Sequence, residues 1–299
     1  MIDTKEITLE NSLIDNNEFD HLIKLLDDED ENIYSSIKDR FISHGDSSSD
    51  FLKKYLNDEN LIVKKRANEI ISIINFGNIE EKFKALSRNN KSDFLEEGIF
   101  LIASYGYPMM NINEYKHELD KMVTDIEAEQ IKTGGRLNRA NPLGILNTIN
   151  NYLFFEKGFK GNTDRYYEED NSYINIVMDS KLGIPISLCI IYILISRRLG
   201  LPVYGINLPG HFILKYSDGY EEFFIDPFNK GVIISIKEAE EFIKNIGMAK
   251  DDFDKIPYLK KTNDKEIILR VLRNLVEIFK KKSEIIKSEQ LEKLMQTLA

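Results

Sequence analysis

The stretch GIPISLCIIYILISRRLGLPVYGINLPGHF, Gly183 to Phe212, holds the chain's single cysteine, Cys189, and one of its four histidines, His211. Proline is tolerated in the first turn of a helix, and after Pro185 the run Ile186 to Ile195 is almost wholly apolar. The stretch therefore predicts a helix buried on most of its sides. Gly200 stops that helix and Pro202 stands just beyond it. Residues 203–208, 212–216 and 222–225 then have the short apolar runs of strands, the last two joined by the Ser217-Asp218-Gly219 turn. A buried helix followed by an antiparallel sheet predicts an α+β fold.

Working outward, GFKGNTDRYYEEDNSY, Gly158 to Tyr173, is rich in Gly, Asn, Asp and Tyr and reads as a long loop. Structured long loops inside compact domains tend to be functional. A helix is expected over residues 142–156, and helical periodicity runs from Asn78 to Thr133 with a break at Tyr105 to Pro108. Residues 20 to 75 read as amphipathic helices. A shift of 30 residues sets Leu52, Leu56, Asp58, Val63 and Ala67 opposite Leu22, Leu26, Asp28, Ile33 and Ile37, as in two helical hairpins joined at acidic turns. This pattern resembles HEAT-type units and fits either a small protein-binding surface or a helical cap. Ser47, Ser48 and Ser49 mark the expected loop between the hairpins. The tail is helical again, with Leu269, Leu272, Leu275 and Phe279 in phase. The expected organisation is a helical region over 1–77, a core over 78–260 and a helical tail over 261–299.

Lys and Arg number 40 against 50 Asp and Glu, so the net charge of -10 argues against sequence-independent binding to nucleic acid or to an anionic membrane. The first residues lack the basic and apolar regions of a secretory signal, and the longest apolar run, Ile184 to Ser196, is too short for a membrane span. One cysteine cannot form an internal disulfide or a Cys-rich zinc site. These features predict a cytoplasmic protein with no metal site and no cofactor.

His211 in PGHFILKY and Asp226 in FFIDPFN lie at the edges of two apolar strands separated by one tight turn. Adjacent antiparallel strands would bring them together, and an Asp orienting a His is the supporting half of a Cys-His-Asp triad. The nucleophile of such a triad belongs at a helix N-terminus, where the dipole and free amides lower a thiol's pKa and can stabilise an oxyanion.

Taken together, GFKGN, DNSY, GIPISL, RRLGLP, LPGHF and IDPFN resemble the bacterial Sir-B family of transglutaminase-like proteins, the regulator of SirC expression type, over about residues 90 to 280. The resemblance implies a transglutaminase or papain-like core, with a tetratricopeptide segment after it. KEIILRVLRNLVEIFKKK, Lys265 to Lys282, is similar to the opening of such a segment, but the 17 residues that follow are too few for another 34-residue repeat. In active members of the wider family, the resemblance implies, the cysteine occupies the first turn of the central helix, with the His and the Asp on successive strands. His211 and Asp226 match those positions. The opening turn here is Ile184, Pro185, Ile186 and Ser187, and Cys189 stands four residues beyond Pro185, about 6 Å further along the axis.

Two readings follow. In the first, the protein is a non-catalytic regulatory module that binds a protein or peptide in a degenerate cleft. In the second, Cys189, His211 and Asp226 form an active cysteine hydrolase or acyltransferase acting on an amide bond. The candidate binding residues are Arg165, Tyr166, Tyr167 and Asn171 of the loop, Pro185 and Ser187 at the helix start, and Asn207 on the following strand. The loop is expected to lie against the same cleft as His211, with Arg165, Tyr166 and Tyr167 either available for contacts at its rim, since Tyr and Arg combine contact area with polar reach, or serving as simple packing residues.

Overall fold

A computed structural model describes residues 17–88, 93–134, 141–208, 210–234, 238 and 260–298. The chain divides into two compact units, Met1–Lys82 and Phe83–Ala299.

In the first unit, residues 17–22 are helical and run into a 3-10 turn. The helices α1 (Glu31–Ser43), α2 (Asp46–Leu52) and the start of α3 (Leu61–Arg88) follow. The 30-residue shift is visible in the turns. Asp28 Oδ1 accepts from the Asp30 amide at 2.9 Å, and Asp58 Oδ1 accepts from the Asn60 amide at 2.8 Å. Asp30 and Asn60 then cap α1 and α3 through their side-chain oxygens. Asn60 ties the two turns together, its Nδ2 donating to Asp27 Oδ2 at 2.7 Å, and Arg66 of α3 closes the first turn, donating to the carbonyls of Leu26 and Asp28 while lying 4.0 Å from the centroid of the Tyr34 ring. Phe19, Leu26, Phe41, Leu52, Ala67 and Ile70 form the buried centre. One expectation fails: Ser47 to Ser49 are not a loop but lie in α2, with Ser48 and Ser49 buried. Gly45, at φ 55°, makes the turn instead, and the Ser48 hydroxyl donates to the Phe41 carbonyl. A Ser and Asp-rich composition favours helix N-termini as much as loops.

The second unit is a mixed α+β assembly. Helices α4 (Phe94–Gly106), α5 (Ile112–Gly134) and α6 (Pro142–Asn150) come first, and α6 runs on into a π-helical turn at Asn151–Glu156. A short strand β1 (Lys160–Gly161) pairs in parallel with β2 (Leu182–Gly183), and α7 (Ile174–Ser180) lies between them in sequence. The central helix α8 (Pro185–Arg198) is buried from Pro185 through Ser196 and packs on a four-stranded antiparallel sheet. The strands β3 (Val203–Leu208), β4 (His211–Ser217), β5 (Glu222–Asp226) and β6 (Val232–Ile234) stand in sequence order. β6 has no counterpart among the expected strands. Helices α9 (Asp264–Lys281) and α10 (Ile285–Leu298) pair with each other, and α9 also packs on α4 and α8. The tail therefore belongs to the same compact unit as the sheet. Among the described residues no helix is long and apolar enough to cross a membrane, and no group of His, Cys, Asp and Glu is arranged to hold a metal ion.

Candidate functional site

β4 and β5 place the two strand-edge residues. Their register pairs Leu214 with Ile225, so Asp226 falls level with Ile213, diagonal to His211 on the same face. The result is a hydrogen bond of 2.9 Å between His211 Nε2 and Asp226 Oδ2, with both side chains largely buried. The carboxylate is fully engaged. Its Oδ1 accepts from the amides of Phe228 and Asn229, and its Oδ2 also accepts from Asn229 Nδ2 at 2.8 Å. Burial alone would push the Asp226 carboxyl up, but the hydrogen bond and charge of His211, with Asn229, hold it below the usual aspartate value.

Cys189 lies within α8 and has no exposed surface. Its Sγ donates to the Phe212 carbonyl at 3.5 Å, where α8 packs on β4. Burial pushes the thiol pKa well up, the negative charge of Asp226 adds to this, and Arg270 offsets it in part. At the start of α8, Pro185 occupies the first turn. The buried Ser187 closes that turn on itself: its Oγ accepts from the Ile184 amide at 3.1 Å and donates to the Ile184 carbonyl at 3.0 Å.

The loop before α7 reaches the same place. The amide of Asn162 donates to the Gly183 carbonyl at 2.9 Å, which fastens the loop to the residues just ahead of α8. Asn171, expected in binding, points inward: its Nδ2 donates to the carbonyls of Arg165 and Tyr166, and its Oδ1 accepts from Asn162. It holds the loop's shape. Tyr166 packs edge-on against Phe228, and Phe228 packs edge-on against His211, which links the loop to the dyad through one aromatic ring. Tyr166 and Tyr167, with Ile184, Pro185 and Ile186, line a cavity of about 130 Å³. α9 lines it too, through Arg270, Asn274, Glu277, Ile278 and Lys281. Of the expected binding residues, Tyr166, Tyr167 and Pro185 line this cavity, whereas Arg165 and Asn207 are exposed elsewhere on the loop and on β3.

Three contributors escaped the sequence reading. Asn229 and Phe228 lie within the IDPFN motif, where a short polar residue three positions after Asp226 is the signal of a capping turn. Arg270 interrupts the apolar run of Ile267, Ile268, Leu269, Val271 and Leu272, and a cation at such a position must find a special environment.

Residues 113–273 match the sequence profile of the Transglutaminase-like superfamily. A UPF0162 protein of Xylella fastidiosa (strain Temecula1) is 35% identical over 183 residues, which cover 60% of this chain and 62% of that protein. A UPF0162 protein of Pseudomonas aeruginosa is 26% identical over 181 residues, 60% of this chain and 63% of that protein. The matched region thus spans less than two thirds of these bacterial relatives. F-box only protein 21 of Mus musculus is 36% identical over 107 residues, 33% of this chain and 17% of that protein. No solved structure matches the chain.

Proposed function

The chain belongs to the transglutaminase-like superfamily, and we propose that it is a non-catalytic member which binds a protein or peptide in the cleft at the start of α8. The observation that carries this reading is the state of the thiol. A nucleophilic cysteine needs access and a lowered pKa, and Cys189 has neither: it has no exposed surface and its pKa is raised. Ser187 is no substitute, because its hydroxyl is spent on the backbone of Ile184. Within the superfamily the motifs favour the Sir-B type and a regulatory role. A net charge of -10 favours a protein or peptide partner over nucleic acid or membrane, and a lone cysteine favours the cytoplasm.

A second reading, an active cysteine hydrolase or acyltransferase, draws support from the intact His211–Asp226 pair. One variant separates the two. Under the binding reading Cys189 reacts slowly with a disulfide reagent at neutral pH in the folded protein. Cys189→Ala then lowers stability by about 1 kcal/mol, as truncation of a small buried side chain does, and leaves peptide binding in place. Rapid labelling of Cys189, together with amide hydrolysis or acyl transfer that disappears in Cys189→Ala at unchanged melting temperature, would overturn the binding reading.

A further inference from the structure

We propose that the cleft binds an extended acidic segment of a partner protein, with one carboxylate on Arg270 and a second near Lys281. This rests on the peptide-binding reading and names the chemistry of the ligand. Arg270, Asn274, Glu277 and Lys281 are spaced four, three and four residues apart on α9, so they share one side of the helix, the side that walls the cavity. Arg270 is partly buried there. Its Nη1 donates to the Leu208 carbonyl at 3.2 Å, and its guanidinium lies 5.4 Å from the centroid of the Phe212 ring. These contacts fix its position without neutralising its charge, since among the described residues no carboxylate forms an ion pair with it. Burial depresses its pKa, with only Tyr166 and Cys189 acting in the other direction. A positioned, partly desolvated guanidinium with unspent donors is built to take a carboxylate, which matches its planar fork.

The remaining wall defines the rest of the ligand. Lys281 stands eleven residues beyond Arg270, about 16 Å along the helix axis at ~1.5 Å per residue, and its ammonium lies 4.8 Å from the centroid of the Tyr167 ring. An extended peptide advances ~3.3 Å per residue, so carboxylates about five positions apart reach both cations. Glu277 lies between them and disfavours a third carboxylate in the middle. Two cations against one carboxylate make this wall positive in a chain whose net charge is -10, so the cleft attracts what most of the chain repels. Tyr166 and Tyr167 line the same cavity, Tyr167 with its ring already against Lys281. The larger groove of about 370 Å³ beside Glu96, Arg197 and Arg198 lacks this property. There Arg198 pairs with Glu96 and Asp120, each at 2.7 Å, and Arg197 pairs with Asp264.

The test is fluorescence anisotropy on the full chain with two labelled, terminally blocked hexapeptides, Glu-Ala-Ala-Tyr-Ala-Glu and Gln-Ala-Ala-Tyr-Ala-Gln. The acidic peptide is expected to bind about ten-fold more tightly at low salt, the scale of one charge-assisted hydrogen-bond pair, with the preference shrinking at high salt. Arg270→Gln should bring the acidic peptide down to the affinity of the neutral one, and Lys281→Gln should weaken it by a smaller factor. Lys132→Gln, which alters an exposed cation on α5 that does not line the cavity and pairs with Glu129, should leave it unchanged. If Arg270→Gln does not fold, the comparison of the two peptides on the unaltered chain and on Lys281→Gln decides. Equal affinity for both peptides, lost in a cleft-filling Ile186→Trp, would sink the carboxylate assignment and leave the peptide-binding reading standing. No binding of either peptide would overturn both.

Discussion

Asp226 does two jobs with one carboxylate, accepting from His211 and capping the turn at Phe228 and Asn229. Both favour its charged form, which is why its pKa lies below the usual value despite burial. The stabilisation it supplies is therefore complete above the ordinary aspartate range near pH ~4 and is lost as pH falls through the lower, folded-state value. Asp226→Asn should be less stable than the parent at neutral pH, with the gap closing as pH drops below about 4. Urea denaturation of both proteins at a series of pH values measures it, and a gap that stays constant into acid would show that the charge of Asp226 contributes nothing. The His–Asp contact was legible in the sequence because a tight turn between two strands leaves few registers. Arg270 was not, because its meaning depends on what α9 packs against, some 60 residues from its carbonyl partner Leu208.

The loop and the central helix are joined by close packing that only particular residues permit. β1 runs beside the turn after β5, and a Cβ on Gly161 would come within 2.5 Å of the Phe228 ring. That ring also packs against His211 and Tyr166. Gly161→Ala should displace Phe228, cost on the order of 1 to 3 kcal/mol as overpacking does, and weaken peptide binding by moving Tyr166. Adding Phe228→Leu to Gly161→Ala should recover part of the stability, the coupling expected of residues in contact. Additive losses in that double-mutant cycle would show that the two positions do not meet. Among the elements themselves, α8 and strands β3 to β5 were readable because apolar continuity, Gly and Pro stops and a two-residue period all agreed. α2 and β6 were not. A short Ser-rich helix is decided by one hydroxyl reaching the Phe41 carbonyl, and β6 is decided by the edge that β5 offers it.

Composition alone bounded the molecule to an acidic chain with a substantial core, and the structure distributes that core over two units. The first is built around Phe19, Phe41, Leu52 and Ile70, all essentially without exposed surface, and its turns are closed by Arg66 and the capping residues Asp30 and Asn60. The second has its own centre in α8 and the sheet, and every residue of the candidate cleft lies within it. Stability that is partitioned in this way is expected to fail locally. Phe41→Ala removes an entire buried ring, a change that costs about 3 to 5 kcal/mol. Hydrogen exchange should show loss of protection in α1 and α2, while the amides of α8 and of β3 to β5 keep theirs and the acidic hexapeptide binds with unchanged affinity. Equal loss of protection in α8 would mean that the two units unfold as one cooperative body, and the first unit would then have to be counted among the supports of the cleft.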